Sequence, residues 1–165
     1  MRIIAQGPRS AAFAPYGAFL WPPADVGGRS PFSEWLTPIA GLSQQCHLNR
    51  VRPSHFPVRV AQVERHPHAK QLFLPMGVSR YLVTVMPSDD EGAPDPSRAQ
   101  AFIVPGSVGV AYHRGTWHAG IAVLDREATF AVMMWRGGSE DDVFRTIDPI
   151  EVSAQPLPTG ERTRG

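Results

Sequence analysis

Only one cysteine, Cys46, occurs in the 165 residues, so no intrachain disulfide can form and the fold must rest on its core. An excess of one charge is also missing. The 16 basic and 15 acidic residues leave a formal net charge of +1, which offers no basic field for nucleic acid and no charge block for a membrane surface. Long apolar runs are absent: stretches such as Ala131-Val132-Met133-Met134-Trp135 are far too short for a bilayer. The start, Met1-Arg2-Ile3-Ile4-Ala5-Gln6-Gly7-Pro8, lacks the apolar core of a secretion signal, and a cytoplasmic protein is the expectation. No glycine-rich phosphate loop joins a strand to a helix, no serine sits in a nucleophile elbow, and Cys46 has no activating neighbours. Neither a nucleotide nor an organic cofactor is expected.

What is abundant is punctuation, with 17 prolines and 15 glycines, which fits many short strands better than long helices. Residues 3–5, 19–21, 45–52, 58–65, 71–74, 80–86, 100–104 and 108–113 read as strands, several with apolar and polar residues alternating. Residues 121–124 and 128–135 read as a hairpin around Asp125-Arg126, and residues 145–152 as a last edge strand broken by Pro149. Ser10 would cap one helical turn over residues 10–14. Residues 24–44 are weakly patterned, and residues 87–96 read as a solvated polar loop. The expectation is an all-β protein with little helix, a barrel or sandwich. It would form a single domain over residues 1–152, followed by a polar, frayed tail over residues 153–165.

Four of the six histidines fall in two segments, Glu64-Arg65-His66-Pro67-His68-Ala69-Lys70-Gln71 and Tyr112-His113-Arg114-Gly115-Thr116-Trp117-His118. Two strands lying together would bring imidazoles from both into one cavity, suited to a divalent metal or to acid–base work on a small polar substrate. Residues two apart share a face of a strand, so His66 and His68 would point the same way if the strand ran past Pro67. Gln71 and His113 could complete a set of nitrogen and oxygen ligands. His113 and His118 are an odd number apart, and Gly115 between them allows a bend. His113, His118 and His66 are the candidate catalytic residues. Arg50, Arg114 and Arg136 are candidate grips for a carboxylate, with Gln71 and Trp117 as further contacts or cavity wall. Glu64 and Asp142 are the acids placed to orient an imidazole.

The Pro-Gly turns, the His-x-His pair and the later histidine resemble the two motifs of the cupin superfamily, with Gln71 near where a glutamate is usual. A more specific likeness covers roughly residues 3–152. Glu64-Arg65-His66-Pro67 with Gln71, Phe73 and Pro75-Met76, then Tyr112-His113-Arg114 with Trp117-His118, then Arg136-Gly137-Gly138-Ser139, and earlier Leu48-Asn49-Arg50, resemble the ureidoglycolate lyase family. The resemblance implies a cupin-like β-barrel (a double-stranded β-helix, or jelly roll), a homodimer, and a divalent metal, nickel being the one associated with the family. It also implies cleavage of ureidoglycolate into glyoxylate and urea during allantoin and purine breakdown. Arg50 or Arg136 would then hold the substrate carboxylate, and His113 or His118 would act as base. Another metal-dependent cupin oxygenase or isomerase, and a non-catalytic cupin that binds a small carboxylate, are the alternatives. The chain departs from the family pattern at His68, where leucine is common, and at Trp135, where aspartate is common. It departs again at Ala111, Gly115 and Ala119, where more polar residues are usual. These departures bear on the substrate more than on the fold.

Overall fold

The computed structural model describes residues 1–154, in which strands carry nearly all the regular structure. In chain order they are β1 (Arg2–Ile4), β2 (Gly17–Leu20), β3 (Ser43–Val51), β4 (Val58–Arg65), β5 (Gln71–Met76) and β6 (Arg80–Met86). There follow β7 (Gln100–Pro105), β8 (Gly109–Tyr112), β9 (Trp117–His118), β10 (Ala122–Leu124), β11 (Ala128–Arg136) and β12 (Val143–Ser153). They form two sheets. One runs β1-β12-β4-β9-β6-β10, with β7 also paired to β6; the other runs β2-β8-β5-β11-β3. Just after β1, Gln6 N donates to Ala101 O and Ile103 N donates to Gln6 O, so the first sheet curls back toward its own β7. The result is the nearly all-β, curled half-barrel that the strand pattern calls for.

Alternation along the strands builds two cores. On β6, Tyr81, Val83 and Val85 face the space between the sheets, where they meet Phe13, Phe19, Phe73, Phe102, Val110 and Phe130. Leu82 and Met86, on the opposite face, join Val63, Trp117, Ile150 and Val152. β11 shows the same pattern, burying Ala128, Phe130, Val132 and Met134 in turn.

Three expectations are corrected here, and two segments are refined. Residues 121–124 and 128–135 make no hairpin, because β10 pairs with β6 and β11 pairs with β3 and β5 in the other sheet. Asp125 turns the chain between sheets at φ 72° and is held to β6 by Arg80, whose Nε and Nη2 donate to it at 2.9 Å each. β12 is not an edge: it lies between β1 and β4, and Pro149 sits in the irregularity between Thr146 and Ile150, where no ladder donor is required. Ser10 is not a helix cap. The short helix α1 (Ser10–Phe13) starts after Arg9, and Ser10 Oγ accepts from Trp21 Nε1 instead. Residues 24–44 contain a 3₁₀ turn (Ser33–Leu36) that buries Trp35, and the chain is already extended as β3 from Ser43. Of the expected tail, Ser153 ends β12, and residues 155–165 lie outside the described residues.

Candidate active site

The proline after His66 decides the local geometry. β4 stops at Arg65, so His68 does not share the face of His66. His66 is buried, 3% exposed, while His68 is only half-buried and its Nε2 contacts Ser139 O at 2.8 Å. The second histidine segment is bent as its glycine suggests. Thr116 N donates to His113 O across a turn with Gly115 at φ 77°, a conformation that glycine adopts without steric cost. That turn reverses the inward set. His113 is left exposed with its ring stacked on Trp35 at 5.0 Å, and His118 is carried into the interior.

His118 pairs with Glu64 in the β4–β9 ladder, and its ring lies 5.3 Å from that of His66. One ligand-capable atom from each of Glu64, His66 and His118 falls within 4.8 Å of the others. The hydrogen bonds fix the tautomers. His66 Nδ1 lies 2.8 Å from Asp142 Oδ1 and 3.2 Å from Asp141 O, both acceptors, so it carries the proton. His118 Nδ1 donates to Thr116 O at 2.9 Å for the same reason. In the neutral rings both Nε2 atoms then carry lone pairs; both are buried and, among the described residues, without a hydrogen-bond partner. His118 Nε2 sits 3.5 Å from Glu64 Oε1, too far for a good hydrogen bond. Imidazoles tied down through Nδ1, with bare Nε2 atoms aimed beside a carboxylate, have the arrangement that oriented metal ligands adopt. Nitrogen with carboxylate oxygen suits Ni, Zn, Mn, Fe or Co.

Around this group stand residues of mixed legibility. Asp142 orients His66 and is itself gripped by Arg136, whose Nη2 lies 2.6 Å from each carboxylate oxygen. Gln71 is buried opposite Tyr112 in the β5–β8 ladder, its Nε2 donating to Met134 Sδ and its Oε1 unpaired. Tyr112 stacks flat on His118 with centroids 4.2 Å apart and its hydroxyl unpaired. Sequence reasoning named Tyr112 only as a motif residue. Its signal was position, as the last residue of an apolar strand running toward the histidine segment.

Several candidate residues lie elsewhere. His113 and His68 stand apart from the Glu64–His66–His118 group because the Gly115 turn and Pro67 point them away from it. Arg50 is exposed on β3 and paired with Glu127. Arg114 is exposed. Trp117 is not a wall of this group. It belongs to the second core, under Arg65, whose guanidinium sits 4.6 Å from its ring. The polar loop at residues 87–96 contributes here, since Gly92 O accepts from both Arg65 and Trp117.

Burial dominates the electrostatics. Desolvation, and then the nearby charge of His118, hold the His66 pKa below its usual value of 6.5, outweighing Glu64 and Asp142. For Glu64 burial is the largest influence and acts upward, but His118 and His66 together bring the carboxyl below 4.5. As pH falls through the usual imidazole value, the unfolded chain takes up a proton at His66 that the folded chain resists, so acid weakens the fold. Glu64 adds a later loss, as pH falls through its lowered value. The urea midpoint of metal-free protein should therefore drop between about pH 8 and about pH 5.5, and His66→Gln should flatten that slope. A midpoint independent of pH in the wild type would contradict this reading.

A curled β half-barrel that buries an imidazole–carboxylate group between its sheets defines a cupin-like protein. The sequence profile described as ureidoglycolate lyase matches residues 2–153, and the chain belongs to that family. Among its relatives, the ureidoglycolate lyase of Schizosaccharomyces pombe is 38% identical over 105 residues, covering 59% of this chain and 55% of that protein. The chain thus spans little more than half the length of the yeast protein. The ureidoglycolate lyase of Escherichia coli K12 is 39% identical over 114 residues, covering 67% of this chain and 69% of the relative. Among solved structures, the dTDP-4-dehydrorhamnose 3,5-epimerase of Elizabethkingia anophelis NUHP1 aligns with a TM-score of 0.41 at 14% identity, over 59% of this chain and 53% of that one. Among the described residues, no helix is long and apolar enough to cross a membrane.

Proposed function

We propose that the chain is a lyase that cleaves ureidoglycolate into glyoxylate and urea, the reaction for which its family and relatives are named. The observation that carries this reading is the pair of bare, buried Nε2 atoms on His66 and His118, facing Glu64. His66 and His118 would hold a divalent metal, nickel being the one the family resemblance suggests. When bound, such an ion supplies Lewis acidity at the substrate hydroxyl. Glu64, kept as a carboxylate at neutral pH, takes the proton from that hydroxyl. The carbonyl of glyoxylate forms as the carbon–nitrogen bond breaks, and the proton held on Glu64 passes to the urea nitrogen that leaves. Asp142 fixes the His66 ring, and Arg136, bound to Asp142 through Nη2 and to Met134 Sδ through Nε, presents Nη1 to the substrate carboxylate.

The residues over 1–152 act as one domain in this reading, in the cytoplasm, where the exposed thiol of Cys46 stays reduced. The homodimer is supported by β3. Among the described residues this edge strand pairs only with β11, residues 43–50 are all exposed, and Leu48 is 65% exposed, so a second copy can cover it.

Purified protein supplied with Ni²⁺ or Mn²⁺ should convert ureidoglycolate to equal amounts of glyoxylate and urea, and should sediment at twice 18.1 kDa. Absence of any carbonyl product with either ion would overturn the activity; sedimentation at the mass of one chain would overturn the dimer.

A further inference from the structure

A cleft of about 470 Å³ opens on the face of the molecule where His68 and His113 emerge. Its side chains have a consistent chemistry. Trp35 and Trp135 supply flat apolar walls, and His68, Lys70, His113 and Arg114 supply every titratable group that lines it among the described residues. No carboxylate is among them. The acid closest in sequence, Glu34, lines a neighbouring groove and meets Lys70 only through its backbone oxygen, at 3.1 Å.

The walls are held in place. Trp35 is buried by the 3₁₀ turn and stacks on the His113 ring at an interplanar angle of 28°. Lys70 Nζ lies 4.9 Å from the Trp35 ring, with its hydrogen bond to Glu34 O fixing it there. His113 is anchored to Ala14 O at 3.2 Å and His68 to Ser139 O at 2.8 Å. Arg114 has no side-chain partner among the described residues, so it is available to a ligand. The volume lies in the range of small-molecule pockets, and ordered aromatic walls cost a ligand little in immobilised side chains.

We propose that this cleft is a binding site for a small planar organic anion, a carboxylate carried on a flat aromatic or conjugated frame. The frame would lie against Trp135, since the buried Trp35 ring is already covered by His113 and Lys70, and the carboxylate would be met by Arg114 and Lys70. The cleft shares no residue with the Glu64–His66–His118 group, and the proposal does not rest on the lyase reading.

Equilibrium binding is the test, by calorimetry and by quenching of tryptophan fluorescence, with no turnover required. The probes are benzoate, its neutral counterpart benzamide, and acetate as charge without a plane. Benzoate should bind at one per chain, at least about tenfold more tightly than benzamide or acetate, since a charge-assisted pair and a stacked plane each contribute. Arg114→Ala, a change at an exposed side chain, should weaken benzoate by at least about fivefold, and Lys70→Met should add to that loss. Benzamide binding as well as benzoate would overturn the anion site, and acetate matching benzoate would overturn the requirement for a plane. Unchanged benzoate affinity in both Arg114→Ala and Lys70→Met, with circular dichroism showing them folded, would place any binding elsewhere and overturn the proposal.

Discussion

His118→Gln should strip the protein of most of the divalent metal proposed to bind at His66 and His118, and lower kcat/KM for the proposed cleavage of ureidoglycolate by at least about 100-fold, more than is usual for loss of an outer-shell partner. The reasoning is local. His118 donates through Nδ1 to Thr116 O, which leaves Nε2 as a lone pair facing Glu64 and His66. Glutamine keeps a polar side chain of similar bulk under the Tyr112 ring, where His118 is 1% exposed, but it cannot present an aromatic nitrogen there. Elemental analysis of dialysed protein and steady-state kinetics check this together. Wild-type metal content and wild-type rate in the variant would remove His118 from the site. Lost rate with full metal content would mean that the imidazole acts on substrate rather than on the ion.

The site was partly readable because strand parity is a strong local signal. Glu64, His66 and His118 all lie in segments that the histidine pattern picks out, and Asp142 was recognisable as an acid able to orient a ring. What the pattern did not resolve was which histidine turned inward. His113 looks the better candidate on an unbroken strand, but the Gly115 turn resets the alternation and carries His118 inward instead. The two-residue spacing likewise makes His66 and His68 look like a chelating pair, but β4 already stops at Arg65, ahead of Pro67. Strand identities were legible because valine-, tyrosine- and phenylalanine-rich runs sit between proline and glycine. Strand partners were not. β10 and β11 are adjacent in sequence and each reads as half a hairpin, yet Asp125 binds Arg80 and Ser79 and sends the chain to the other sheet. Such long-range pairings depend on side chains distant along the chain, and no local pattern records them.

Phe130→Ala should destabilise the fold by about 3–5 kcal/mol, the usual cost of emptying a large buried aromatic site. Phe130 is 0% exposed on β11 and meets Phe73 and Tyr81 edge-on, with centroids 6.1 Å and 5.1 Å away. The walls of the space it would leave are themselves rings held by strands on two sheets, so collapse around the cavity is limited. For a chain of this size the melting temperature should fall on the order of 10 °C, and the urea midpoint should fall without a change in slope. Phe144→Ala is the contrast. That ring is 50% exposed, and its loss should stay within about 0.5 kcal/mol. The core and the site are also joined through aromatic contact: Phe130 touches Phe73, Phe73 lies 6.1 Å from Tyr112, and Tyr112 stacks on His118. Relaxation of Phe73 into the vacated space would remove support from the Tyr112 ring and so from the position of His118 Nε2. Phe130→Ala should therefore lose metal affinity as well as stability, at temperatures where it is still fully folded. If it melts early but retains the metal as tightly as the wild type, the site is held by Glu64, Thr116 and Asp142 alone, without help from the aromatic core.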